Sequence, residues 1–245
     1  MKLQYLGDSR DAFKWDILHW VCTRSNPAFS RLVYVPMLTP PDNPNEGRIP
    51  HQRFTCRDFI RAFVASLKTE PRSFIRVCSL GTMEPLKRFE VRVISPDIFI
   101  GSAAHRREYW ADFNPRDFDD SVVFFDPDNG FETKTRHGQK WIRHSELSDV
   151  IARLPATSVA VVYQHRPFFD YWDTVFAKLE KKIDYADSVA AYEPNLAFVA
   201  LAGNRTVWRR VSDCIKGYAK NHPTVKYRGM PHKRVELETL PQALK

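Results

Sequence analysis

Glycine is scarce in this chain, with nine residues in 245 against seventeen prolines. The first strand-like run, Leu32–Leu38, is followed by Thr39-Pro40-Pro41-Asp42, and Gly47 comes late and alone. A glycine-rich turn, where a nucleotide-like ligand would approach the backbone closely, is therefore absent at that point. Cysteine is equally sparse. Cys22, Cys56, Cys78 and Cys214 lie far apart, which excludes the close pairs of zinc knuckles and redox motifs. Free thiols, mostly buried, in a reducing compartment are the expectation. No apolar run approaches the ~18–20 residues that span a bilayer. The N-terminal stretch carries Asp8 where a signal peptide needs its apolar segment, so a soluble, cytoplasmic protein without a membrane partner is expected.

What is present points to a folded α/β chain. Hydrophobic residues make up 43% of the sequence and there are six tryptophans, enough for one substantial core. Strand and helix signals alternate. Helices are predicted over Asp11–Cys22, Cys56–Leu67, Ala103–Asp112, His144–Leu154, Tyr171–Lys181 and Val207–Lys220, from apolar residues at helical spacing. Extended runs are predicted at Leu32–Leu38, Phe74–Leu80, Phe89–Ile94, Val122–Phe125, Ser158–Tyr163, Ser188–Tyr192 and Leu196–Ala202. This alternation implies a Rossmann-like, mainly parallel sheet with helices on both faces, closed by an antiparallel hairpin. Residues 1–222 form that domain, and residues 223–245 read as a basic, loosely held extension.

The charge is uneven. The net value is +8, and from Arg205 to Lys245 ten basic residues face three acidic ones, a local +7. Arg209, Arg210, Lys216, Lys220, Lys226, Arg228, Lys233 and Arg234 are the candidates for contacting a polyanion, nucleic acid being the default partner. A protein partner within a larger assembly is the other open case. His105-Arg106-Arg107 reads instead as a solvated face.

Val122–Glu132, VVFFDPDNGFE, is the most informative segment: a buried-looking strand running into a carboxylate-rich turn. Ligands of open α/β sheets bind beyond the carboxyl ends of strands, which makes Asp126, Asp128 and Asn129 candidates for chemistry. Gln164 and His165 end the next apolar strand, and they open onto the same rim if the two strands are neighbours. His165 has the chemistry of a base or phosphate contact. Near the N-terminus, Gly7-Asp8-x-x-Asp11-x-x-Lys14 places Asp11 and Lys14 one helical turn apart, after Asp8 as a cap.

Together these two segments resemble the motifs of bacterial ribosomal-RNA adenine-N6 methyltransferases, members of the class I methyltransferase superfamily. Gly7, Asp8, Asp11 and Lys14 look like that family's G-N-x-x-D-x-x-K motif, and Asp126-Pro127 look like the start of its D-P-P-Y motif. The resemblance implies that Asp8, Asp11 and Lys14 help hold S-adenosylmethionine and that Asp126 grips a target amine. Asp128 and Asn129 stand where the family has proline and an aromatic, and Phe131 is the nearest ring that could stack on a base. Two further readings stay open. Asp126, Asp128 and Glu132 could supply oxygen ligands for Mg2+ in a nuclease or phosphodiesterase, with Glu132-Thr133-Lys134 as an E-x-K triplet. A methyltransferase fold serving as a non-catalytic binding module is the other.

Overall fold

The computed structural model describes residues 1–40, 56–95, 97–111, 113–166, 171–182 and 187–230. Six α-helices and nine strands occur among them: α1 (Ser9–Arg24), β1 (Arg31–Pro36), α2 (Asp58–Leu67), β2 (Glu90–Val93), α3 (Ala103–Ala111), β3 (Ser121–Asp126), β4 (Gly130–Phe131), β5 (Trp141–Ile142), α4 (His144–Arg153), β6 (Val159–His165), α5 (Trp172–Glu180), β7 (Asp187–Tyr192), β8 (Leu196–Ala202), α6 (Arg205–Asn221) and β9 (Lys226–Met230). The protein is α/β, as its alternation predicts.

Seven strands form one sheet in the order β2-β1-β3-β6-β8-β7-β9, and β4 and β5 pair separately. β2, β1, β3 and β6 run parallel. β8 is antiparallel to both β6 and β7 and lies between them. The chain leaves β1 in one direction to reach β2 and in the other to reach β3. The β1–β3 boundary is thus a topological switch point, the usual place for a ligand crevice.

Side chains alternate across the central strands and feed two cores, one on each face. Leu32, Tyr34, Val122, Phe124, Val159 and Val161 pack with α1, α2 and α6. Val33, Val35, Val123, Phe125, Ala160 and Val162 pack with α3, α4 and α5. All six residues of β3 are buried, which is why this strand reads as a continuous β-branched and aromatic run. The registers Tyr34↔Phe124 and Pro36↔Asp126 fix the polar end of β3 beside the end of β1.

Two expectations change. Phe74–Leu80 is not extended; Phe74–Thr82 is a 3-10 helix, capped by the Ser73 side chain accepting from the Ile75 amide. Phe74, Val77, Leu80 and Gly81 are its buried residues, and the spacing of three from Phe74 through Val77 to Leu80 matches the 3-10 period. The β-branched and aromatic composition misleads because the fold buries one stripe here, not two faces. The first part of the stretch 223–245, read as a loosely held extension, enters the sheet, as β9 pairs antiparallel with β7 from Lys226 to Met230. Lys233 and Arg234 lie outside the described residues, as do Pro41, Asp42, Gly47 and Asp112. Cys22, Cys56 and Cys214 are buried free thiols, and Cys78 is half-buried. Among the described residues no helix is long and apolar enough to cross a membrane.

Candidate functional site at the carboxyl edge of the sheet

The two motifs meet. α1 starts at the carboxyl edge because Asp8 caps it, its carboxylate accepting from the Arg10 amide at 2.8 Å and the Asp11 amide at 3.2 Å. Gly7, just before the cap, sits at φ +82°, and its amide donates to Asp11 Oδ2 at 2.6 Å. A side chain at residue 7 would be strained and would press on Lys68 Cγ at 2.7 Å. Asp11 and Lys14 are i, i+3 on α1, and Lys14 Nζ lies 2.7 Å from Asp11 Oδ1. The same ammonium donates to Asp126 Oδ2, at the end of β3, at 2.8 Å. Tyr34 from β1 donates its hydroxyl to that oxygen as well, at 2.9 Å. All four side chains are buried.

Charge here is strongly held. Burial opposes the charged form of Lys14, but Asp11 and Asp126 outweigh it and raise its pKa above the ordinary lysine value. Burial also drives the Tyr34 hydroxyl far up, with Asp126 adding to it, so Tyr34 is a permanent donor. Asp8 is different. Its burial, followed by repulsion from Asp11, raises its pKa to about 6. It is thus a carboxyl group that titrates close to neutrality.

Around this cluster lies a polar cavity of about 210 Å³ whose lining includes Asp8, Lys14, Asp126, Asp128, Tyr163 and His165. It opens beyond the carboxyl ends of β3 and β6, beside the start of α1. Asp128 faces the chain's first residue: the Met1 ammonium is 2.7 Å from Asp128 Oδ1 and also donates to the Met37 carbonyl at 2.7 Å. Thr39, just past β1, donates its hydroxyl to Asp128 Oδ2. Burial pushes against ionisation of Asp128, and the ammonium reverses this and lowers its pKa.

Asn129 and Gln164 act on the turn itself. The Gln164 side chain accepts from the Phe131 amide at 2.8 Å and donates to the Asn129 carbonyl at 3.3 Å. The His165 amide also donates to the Asn129 carbonyl, at 3.2 Å. Gly130 adopts φ +101°, and a Cβ there would fall 2.4 Å from Gln164 Oε1. Gln164 is therefore a positioning residue that ties the β3 turn to β6. The expectation that both residues would open onto the rim fits His165, whose ring lines the cavity and whose pKa burial lowers, with Arg10 adding to the shift.

Glu132 is not part of this constellation. Its carboxylate accepts from the His144 amide at 3.0 Å and lies 3.3 Å from the His144 ring, facing a different cavity. Asp126, Asp128 and Glu132 thus have three separate sets of partners. No group of three or more His, Cys, Asp or Glu side chains that could hold a metal ion occurs among the described residues. Phe131 is buried and stacked on His144, with ring centroids 5.9 Å apart, because the turn directs it inward.

The basic candidates divide. Arg210 is used internally, bonded to Asp120 and to the Pro27 carbonyl and set 3.5 Å over the Phe29 ring. Arg228 pairs with Asp173 and Glu180. Arg209, Lys216, Lys220 and Lys226 are exposed. None of these six lines the Asp126 cavity. Arg106 departs from the solvated face expected of it: it is buried and doubly bonded to Glu146, at 2.5 and 2.6 Å. Tyr34, Thr39 and the Met1 ammonium are the site groups that sequence reasoning missed. Tyr34 carried a signal, since a tyrosine inside a fully buried strand needs a partner for its hydroxyl.

No family model matches this chain, and no curated protein matches it. Among solved structures, the chain is similar to a protein of Legionella pneumophila str. Philadelphia 1 described under the family model DUF519. The identity is 10%, 93% of this chain and 98% of that one are covered, and the TM-score is 0.45. A likeness that distant carries no argument about function.

Proposed function

We propose that this chain is a methyltransferase-like protein that binds S-adenosylmethionine at the Asp126 cavity and acts on nucleic acid, with adenine-N6 transfer as the reaction class. The observation that carries this reading is the 2.8 Å bond between Lys14 and Asp126. It joins the donor-side motif to the target-side motif across 112 residues of sequence. The donor set suits the ligand too. Asp8 and Asp126 suit a ligand with positive charge on its ammonium and sulfonium groups, and Lys14 and Arg10 offer cations to its carboxylate.

Adenosylmethionine supplies an electrophilic methyl group when bound. The chain's own contribution is orientation. Lys14 and Tyr34 hold Asp126 Oδ2 from two sides, which aims the other carboxylate oxygen as an acceptor for an exocyclic amine. Asp8, titrating near neutrality, has the chemistry of a group that takes up a proton. Gln164 fixes the turn that carries Asp128 and Asn129.

One observation favours a second reading, a fold of this type that binds nucleic acid without catalysing. Asp128, which replaces the family's second proline, is tied to Met1 and Thr39. Titration calorimetry with adenosylmethionine separates the two. Micromolar to millimolar binding, weakened at least tenfold in Asp8→Asn, is the expected result. No binding by the wild-type chain at millimolar ligand would overturn the methyltransferase reading and leave the second. A parallel Mg2+ titration addresses metal-dependent hydrolysis, which needs metal binding that Asp128→Asn abolishes.

A further inference from the structure

A second cavity, about 380 Å³, lies beside the first and is used by nothing described so far. That volume falls within the ~300–1,000 Å³ typical of small-molecule sites. Phe131, Val175 and Leu179 give it an apolar lining, with Phe131 backed by the stacked His144 ring. Lys134, Arg136, Lys178 and Lys182, all exposed, line it as well. Glu132, the acidic residue among its described lining residues, is engaged with His144. An apolar slot edged by four cations complements a ligand with a flat hydrophobic body and negative charge.

The slot is separated from the Asp126 site by one cavity. This third cavity, of about 270 Å³, shares Phe131, Thr133, Arg136 and Gln164 with the slot, and shares Asn129 and His165 with the Asp126 cavity. Three adjoining cavities therefore line up as a segmented trough from Asp126 past His165 to Val175. A nucleic-acid single strand matches it in order: an exocyclic amine at Asp126, phosphates along Arg136 and the lysines, and a neighbouring base in the slot.

We infer that the Phe131–Val175 slot binds a flanking base of a single-stranded nucleic acid, with Lys134, Arg136, Lys178 and Lys182 holding its phosphates. The inference deepens the proposed function and rests on it for the identity of the polymer. It also assigns the polyanion contact to this trough, away from the α6 residues.

The test is fluorescence anisotropy with labelled 12-nucleotide single strands of RNA and DNA, a strand with one abasic position, and AMP as competitor. The combined variant Lys134→Ala, Arg136→Ala, Lys182→Ala should weaken strand binding about tenfold or more. It should also flatten the salt dependence by about two units of slope, from ~0.7 per lost phosphate contact. Val175→Trp, which fills the slot, should weaken binding of the intact strand to that of the abasic one. Both variants should keep wild-type adenosylmethionine binding. Unchanged strand affinity in the charge variant overturns the inference, as does AMP binding as tightly as the strand. Slot-dependent strand binding without any donor binding supports the slot while defeating the methyltransferase reading, so the two failures are distinguishable.

Discussion

Replacing Lys14 by methionine removes the ammonium from between two buried carboxylates and keeps most of the side-chain volume. Each of the two ion pairs, at 2.7 and 2.8 Å, has a gross attraction of roughly 6 kcal/mol at an effective dielectric of about 20. Most of that offsets the desolvation of three ions, so the intact cluster adds little net stability. Its removal is another matter, because Asp11 and Asp126 are left as like charges in a dry site. Breaking a buried pair in this way costs about 3–5 kcal/mol. For a chain of this size that lowers Tm by on the order of 6–20 °C. Urea unfolding of Lys14→Met measures the cost. Asp126→Asn in the same background should restore part of the loss, since it removes one stranded charge. A cost below about 1 kcal/mol would refute the account by showing that the carboxylates reach water.

Three further expectations concern separate parts of the molecule. The pKa of Asp8, about 6 when folded, lies above its unfolded value. Its protonated form therefore favours folding at low pH, and that contribution is lost as pH rises toward and through 6. Asp8→Asn keeps the helix cap and removes the titration, so it should gain stability on the wild type between pH 4 and 7 in urea titrations; a constant difference would count against a buried, titrating Asp8. Gly130→Ala should destabilise by about 2 kcal/mol or more and weaken ligand binding at the Asp126 cavity, because it forces φ +101° and a 2.4 Å contact with Gln164; calorimetry would contradict this if both were at wild-type level. Burial disfavours charge on His222, but its bonds to Asp16 and the Tyr218 carbonyl outweigh burial and raise its pKa. Its stabilisation is thus present at acidic pH and lost as pH rises through the folded pKa. The gap between wild type and His222→Gln should close between pH 6 and 8, and a gap that widens would reverse the assignment.

The legibility of the fold and of the site differed for physical reasons. Helices and strands with one strong period were readable: β3 announced itself by Val122-Val123-Phe124-Phe125, and α1 by Asp8 followed by apolar residues at helical spacing. The segment at Phe74 was not, because a 3-10 stripe and a short strand draw on the same residue types. Asp126 and Lys14 could be nominated from motif spacing, since the fold brings strand ends and helix starts to one edge. What each carboxylate faces is a tertiary fact. Asp126, Asp128 and Glu132 are close in sequence, yet Gly130 turns the backbone between them and sends Glu132 to His144. Gln164, read as opening onto the rim, has an amide that completes the turn's backbone hydrogen bonds, which no local pattern displays.

β9 has a meaning beyond its charge. β7, the penultimate strand of the sheet, offers Val189, Ala190 and Ala191 along a backbone that pairs with β8 on one side only. Without β9, its other row of amides and carbonyls would be an open template for a second chain. β9 occupies that row and replaces an apolar border with Lys226 and Arg228, the latter tethered to Asp173 and Glu180 on α5. These two cations, which drew attention as contacts for a polyanion, serve as a guard against edge-to-edge aggregation, so a chain truncated before Lys226 should be lost to precipitation before it is lost to misfolding.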